Sequence, residues 1–187
     1  MSKVTCSGSV PGEEVAMFLS NRRTHDALKQ NRLYEMLSCD PDYMDAYGLE
    51  LVAGRGFSED YGDDVNKLVI NETAARTLGY TDYESVIGEE ISVETIEEPM
   101  QVIGVVKDYH QQALNRNYTP IMLFHKDKID WIPQRYISIV MKPGDSLELV
   151  SQISEIWTTY FADSSFDYFF STSSMIVSIV RMKLSEY

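Results

Sequence analysis

Residues 41–110 carry the pattern that most restricts what this chain can fold into. They read as three short blocks punctuated by glycine: PDYMDAYGLELVAGRGF, LVINETAARTLGY and MQVIGVVKDYH. Glycine marks places where the backbone needs a positive φ or a close approach, so each block allows only a few residues of regular structure before the chain turns. Asp40 can cap a helix whose first position is Pro41, and Gly48 suits the left-handed residue that ends it, which predicts one or two helical turns over residues 41–47. Residues 49–52 favour a strand apart from Glu50. Gly54, Arg55 and Gly56 then permit a tight turn before Phe57 anchors in apolar surroundings. In the second block, residues 68–70 form a short apolar strand, Asn71 caps a helix over 72–78, and Gly79 stops it. Residues 101–106 are a β-branched run whose internal Gly104 marks a bulge or a close backbone approach.

None of these blocks carries a recognisable catalytic set, which points to a module built to hold a shape. Asp108 and His110 invite a base or metal-ligand reading, but a metal needs further defined ligands and a triad needs a nucleophile. The expected role is a polar corner that turns the chain after the strand ending at Val106. The acidic stretch 58–66 lacks the ligand spacing of a calcium loop and reads as a solvated loop. The glutamates between 89 and 98 fit a hairpin, with 90–93 alternating as a strand. Asn71-Glu72-Thr73 matches a glycan acceptor and Gly54-Arg55-Gly56 superficially a phosphate loop. The asparagine is better used as a cap, and the glycine pair lacks the lysine and hydroxyl of a phosphate loop, so no cofactor or metal is expected.

The two cysteines, Cys6 and Cys39, lie on segments that could pair as antiparallel strands. A bridge between them and two partly buried thiols are both open readings. Residues 13–31 lack a convincing period and read as a long connection with at most a short helix near 14–19. Beyond them, strands are expected over 121–124 and 136–140, separated by a polar excursion with Trp131 and Pro133. Asp145 and Glu148 resemble a capping box ahead of a helix over about 146–161. Leu147, Val150, Ile153, Trp157 and Phe161 supply its buried face, and an aromatic strand over 166–170 follows. Residues 171–187 are apolar and β-branched in the middle, either strand or helix.

The 187 residues can bury a sizeable core in an α+β fold, and their formal charge of −13 repels nucleic acid and anionic lipid. The partner that charge favours is a cationic peptide or a basic protein surface. No segment has the roughly 18 or more uninterrupted apolar residues needed to span a bilayer.

The order YGLELVAGRGF, VINETAARTLG, a turn closing in VIGEEI at Gly88, and VIGVVKDYH resembles the extracytoplasmic domain of MacB/FtsX-type ABC transporter permeases, especially the group found in Bacteroidetes-like bacteria. The resemblance covers about residues 34–170, with a weaker echo over 4–12. It implies a porter-like, membrane-proximal α/β lobe from residues 1–48 and 118–187, with a β-rich lobe, 49–117, inserted between. It further implies a non-catalytic domain of an inner-membrane permease, exposed to the periplasm and flanked by membrane helices. A cytoplasmic ATPase subunit, a second permease copy and an extracytoplasmic protein or peptide would be its partners. Gly48, Gly54, Arg55, Phe57, Asn71, Gly79, Gly88, Gly104, Asp108 and His110 would hold its shape. A free-standing extracellular sensor with a ligand pocket is the alternative, and a hydrolase using Asp108 and His110 is a third reading.

Overall fold

The computed structural model describes residues 3–15, 17–25, 30–62, 64–112, 116–129, 132, 134–141, 146–160, 166–171 and 177–181. In order, the strands are β1 (Lys3–Ser7), β2 (Phe18–Arg23), β3 (Arg32–Cys39), β4 (Leu51–Gly54), β5 (Lys67–Asn71), β6 (Glu90–Val93), β7 (Met100–Val106), β8 (Ile121–His125), β9 (Tyr136–Val140), β10 (Asp167–Ser171) and β11 (Val177–Arg181). Three helices accompany them: α1 (Tyr43–Ala46) after β3, α2 (Glu72–Thr77) after β5, and α3 (Ser146–Tyr160) after β9. The α+β class expected from the sequence is the class found.

The strand pairings close on themselves. β2 pairs β3, β3 pairs β8 in parallel, β8 pairs β5, β5 pairs β7 in parallel, β7 pairs β6, and β6 returns to β2. A closed ring leaves its strands no free edge. Side chains alternate across a strand, so one set from each of the six meets inside: Leu19, Tyr34, Met36, Leu68, Ile70, Ile91, Val93, Met100, Val102, Met122 and Phe124 share one buried cluster. Their neighbours Leu37, Val69, Ile103, Ile121 and Leu123 face the other way and pack with Tyr43, Met44 and Phe57. α2 sets Ala74, Ala75 and Leu78 against the inner cluster.

β1, β9, β11 and β10 continue from the ring as an antiparallel extension, joined to it where Ser7 faces Cys39. Asp40 fastens this joint by accepting from the Thr5 hydroxyl at 2.5 Å and the Cys6 N–H at 2.6 Å. Tyr47 adds a 2.7 Å hydrogen bond to Ser138 on β9. The boundaries 48/49 and 117/118 fall between hydrogen-bonded partners, since β2 pairs β6 and β5 pairs β8.

Several local expectations change. Residues 18–23 are a strand, not a connection or helix; Leu19 and Asn21 alternate inward, and the polar Asn21 hides the period because its amide sits between the sulfurs of Met36 and Met122 at 3.2 and 3.3 Å. Asp40 does not cap α1, whose N-cap is Asp42 without a side-chain bond, because the Asp40 carboxylate is used on β1. Both cysteines are free thiols. Cys39 is opposite Ser7, one residue from Cys6, and adjacent residues of a strand point to opposite faces. On α3, Val150 and Trp157 are buried while Ile156 and Tyr160 are exposed. Trp131, Pro133, Asp145 and Phe161, and the side chain of Leu147, lie outside the described residues, as does most of the 171–187 tail apart from β11.

Candidate functional site

The glycine-punctuated blocks converge on β7. Gly54 on β4 lies directly opposite Gly104, and β7 carries an irregularity there, since Leu68 faces Val102 while Val69 faces Gly104. A Cβ on Gly54 would stand 2.2 Å from the Ile103 carbonyl oxygen, and one on Gly104 would stand 2.1 Å from the Arg55 carbonyl oxygen. Neither position has room for a side chain, so both readings of Gly104, bulge and close approach, apply. Gly48, Gly54, Gly79 and Gly88 all have positive φ. Phe57 is buried against Met44 and Tyr43.

Arg55 leaves this turn to form a two-pronged pair with Asp64, both N–O distances 2.7 Å, while its guanidinium lies 4.1 Å from the centre of the Tyr61 ring. Asp64 also accepts from the Ser58 N–H at 2.8 Å. The expectation of a solvated loop therefore fails at Asp64, whose side chain is 5% exposed. Burial pushes its carboxyl up, but the Arg55 and Ser58 hydrogen bonds and the Arg55 charge outweigh this and hold it below the ordinary aspartate value. A group depressed in the folded state stabilises above its unfolded pKa and loses that contribution as pH falls through the folded one. Asp64→Asn should thus cost about 1–2 kcal/mol at pH 7, Arg55 being partly solvated, and the gap to wild type should close below about pH 4. Urea melts of both proteins across that range measure it; a gap unchanged at low pH would contradict the pairing.

A second cluster joins α2 to the chain after β7. The Asn71 side-chain oxygen accepts from the N–H groups of Ala74 at 2.9 Å and Ile121 at 3.0 Å, and its amide donates to the Thr119 carbonyl at 2.8 Å. Asp108 accepts from the Thr73 N–H and hydroxyl at 2.8 and 2.9 Å and pairs with Arg76 at 2.5 Å. Its own N–H donates to Glu72 at 3.0 Å. His110 is not among the partners of Asp108; its ring packs 4.7 Å from that of Tyr118. Asp108 and His110 thus stand apart in chemistry, one bracing α2 and the other a loop. Among the described residues no group of three His, Cys, Asp or Glu side chains could hold a metal ion.

Sequence reasoning missed Asp64, Thr73 and Arg76. For Asp64 the available signal was Arg55 held in the turn between two glycines, which aims it at the 58–66 loop; Thr73 and Arg76 meet Asp108 only through the fold.

The geometry defines a mixed-sheet α+β domain braced by polar pairs. The chain belongs to the MacB-like periplasmic core domain family, whose model matches residues 3–155. Among solved structures it is similar to a domain of a putative permease from Porphyromonas gingivalis, with 18% identity and a TM-score of 0.58, covering 100% of this chain and 78% of that one. It is also similar to the periplasmic region of MacB from Actinobacillus actinomycetemcomitans, with 20% identity and a TM-score of 0.53, covering 84% of this chain and 66% of that one. At these identities the likeness concerns the fold. Comparison with curated proteins returned no match.

Proposed function

We propose that this domain is the periplasmic part of an inner-membrane ABC permease, and that it passes ATP-driven motion of the membrane helices to an extracytoplasmic protein, peptide or lipoprotein. The membership in the MacB-like periplasmic family carries this reading. The closed six-strand ring supports it physically: a ring without free edges, braced by Asn71 and Asp108, resists bending and can transmit displacement as a body. The nucleotide would be handled by a separate cytoplasmic ATPase subunit, and two permease copies would act together. The two-part division at 48/49 and 117/118 belongs to this proposal as two groups of strands that the ring holds together, β2, β3 and β8 in one and β5, β6 and β7 in the other.

The test is the parent gene and its product. Apolar segments of about 20 residues on both sides of this domain, with the product in the membrane fraction and retained by an ATPase subunit on co-purification, are the expected result. A secreted product without such segments would overturn it.

A further inference from the structure

The chain has 29 acidic and 16 basic residues, yet one cavity is lined by Arg22, Arg23, Arg32 and Arg76, half of its eight arginines. The cavity, about 230 Å³, lies where the end of β2, the start of β3 and the C-terminal end of α2 meet. Among the described residues no carboxylate lines it.

The arginines are not needed to satisfy the end of α2. The carbonyls of Ala74, Ala75 and Arg76 already accept from the N–H groups of Leu78, Tyr80 and Gly79. Arg76 is engaged by Asp108 and Tyr83 and frames the wall. Arg22 bonds neutral Asn31 at 3.1 Å, Arg23 lies over the Tyr80 ring, and Arg32 is exposed on the first position of β3. Arg22 and Arg32 form no ion pair among the described residues.

An independent observation comes from Tyr34, which lines the same cavity and is 1% exposed. Its hydroxyl is buried without a hydrogen-bond partner among the described residues. Burial pushes this phenol up to about 12, while the charges of Arg32 and Arg23 pull it the other way. A buried hydroxyl left unpaired is a cost that a ligand oxygen would remove.

We propose that this cavity binds the anionic group of a small ligand, a carboxylate or a phosphate, through Arg22, Arg23 and Arg32 with the Tyr34 hydroxyl donating from the floor. Guanidinium groups suit both oxyanions because their parallel N–H donors match two oxygens at once. The strongly negative remainder of the chain selects against polyanions, whose distant charges would be repelled, and favours one compact anionic group. This inference stands apart from the transporter reading, since it concerns binding by this chain alone and its failure would leave that reading untouched.

The test is to titrate the chain with sodium phosphate and, separately, with sodium acetate, holding ionic strength constant with sodium chloride. Thermal midpoints and the arginine Nε–H resonances report binding. A saturable rise with phosphate alone assigns a phosphate ligand; one with acetate alone assigns a carboxylate; a rise with both assigns an oxyanion site open to either. Arg22→Gln and Arg32→Gln, both at partly or fully exposed positions, should each weaken binding about tenfold. Tyr34→Phe should weaken it without lowering the midpoint measured in chloride alone, and the exposed Arg135→Gln should leave it unchanged. Absence of a saturable rise with either anion overturns the proposal, as does equal affinity in wild type, Arg22→Gln and Arg32→Gln.

Discussion

Gly104→Ala should destabilise the domain by about 3 kcal/mol, and Gly54→Ala by more, because both place a methyl group against backbone that cannot rotate away. At Gly104 the new Cβ would meet the Arg55 carbonyl oxygen at 2.1 Å and its carbon at 3.0 Å. At Gly54 it would meet the Ile103 oxygen at 2.2 Å, and φ of 65° adds the strain of the left-handed region. Relief requires β4 to move off β7, which would pull Arg55 away from Asp64. Two controls divide the causes. Gly79→Ala keeps a positive φ of 98° but has nothing within 4 Å, so it should lose only about 1 kcal/mol. Gly62→Ala has open space and no positive φ, and should be neutral or slightly stabilising. Urea unfolding of the four variants gives the order directly. A Gly104→Ala protein within about 0.5 kcal/mol of wild type would mean that β4 and β7 do not approach as described.

The same contrast shows what sequence could and could not reveal. A glycine within a β-branched run is a local signal, and so is an asparagine before an apolar-sided helix, as at Asn71 and Ala74. Each depends on residues a few positions apart. β2 was illegible because its inward Asn21 is matched to sulfurs on β3 and β8, one of them 101 positions away. Asp40 looks like a helix cap locally, and only its encounter with β1 diverts it. Asp64 reads as one more acid in a polar loop until the turn at Gly54 and Gly56 aims Arg55 at it. Ring closure rests on β2 with β6 and β3 with β8, pairings that no local pattern encodes. The arginine cavity is split between the two strands that flank residues 24–31 and a helix some 50 positions later, so its charge is dispersed in the sequence and concentrated only in space.

Asn71→Ala should cost about 3–4 kcal/mol, well above the roughly 1 kcal/mol of an ordinary helix cap. The reason is that the side chain serves two elements at once. Its oxygen holds the Ala74 N–H at the start of α2 and the Ile121 N–H at the start of β8, and its nitrogen satisfies the Thr119 carbonyl. Asn71, 1% exposed, and its partners Ala74 and Ile121 are buried, and Thr119 is half-buried, so water cannot restore the two N–H bonds that alanine removes. Asn71→Asp separates the contributions: it keeps an acceptor for both N–H groups, favourably charged beside the first turn of α2, but sets a carboxylate against the Thr119 oxygen. Its stability should fall between wild type and alanine. Hydrogen exchange adds a spatial reading, since loss of this link should speed exchange at Ala74 and Ile121 more than at β9, which Asn71 does not touch. An alanine variant destabilised by no more than about 1 kcal/mol, with exchange at Ile121 unchanged, would show that Asn71 acts as a local cap and that β8 is held by its strand partners alone.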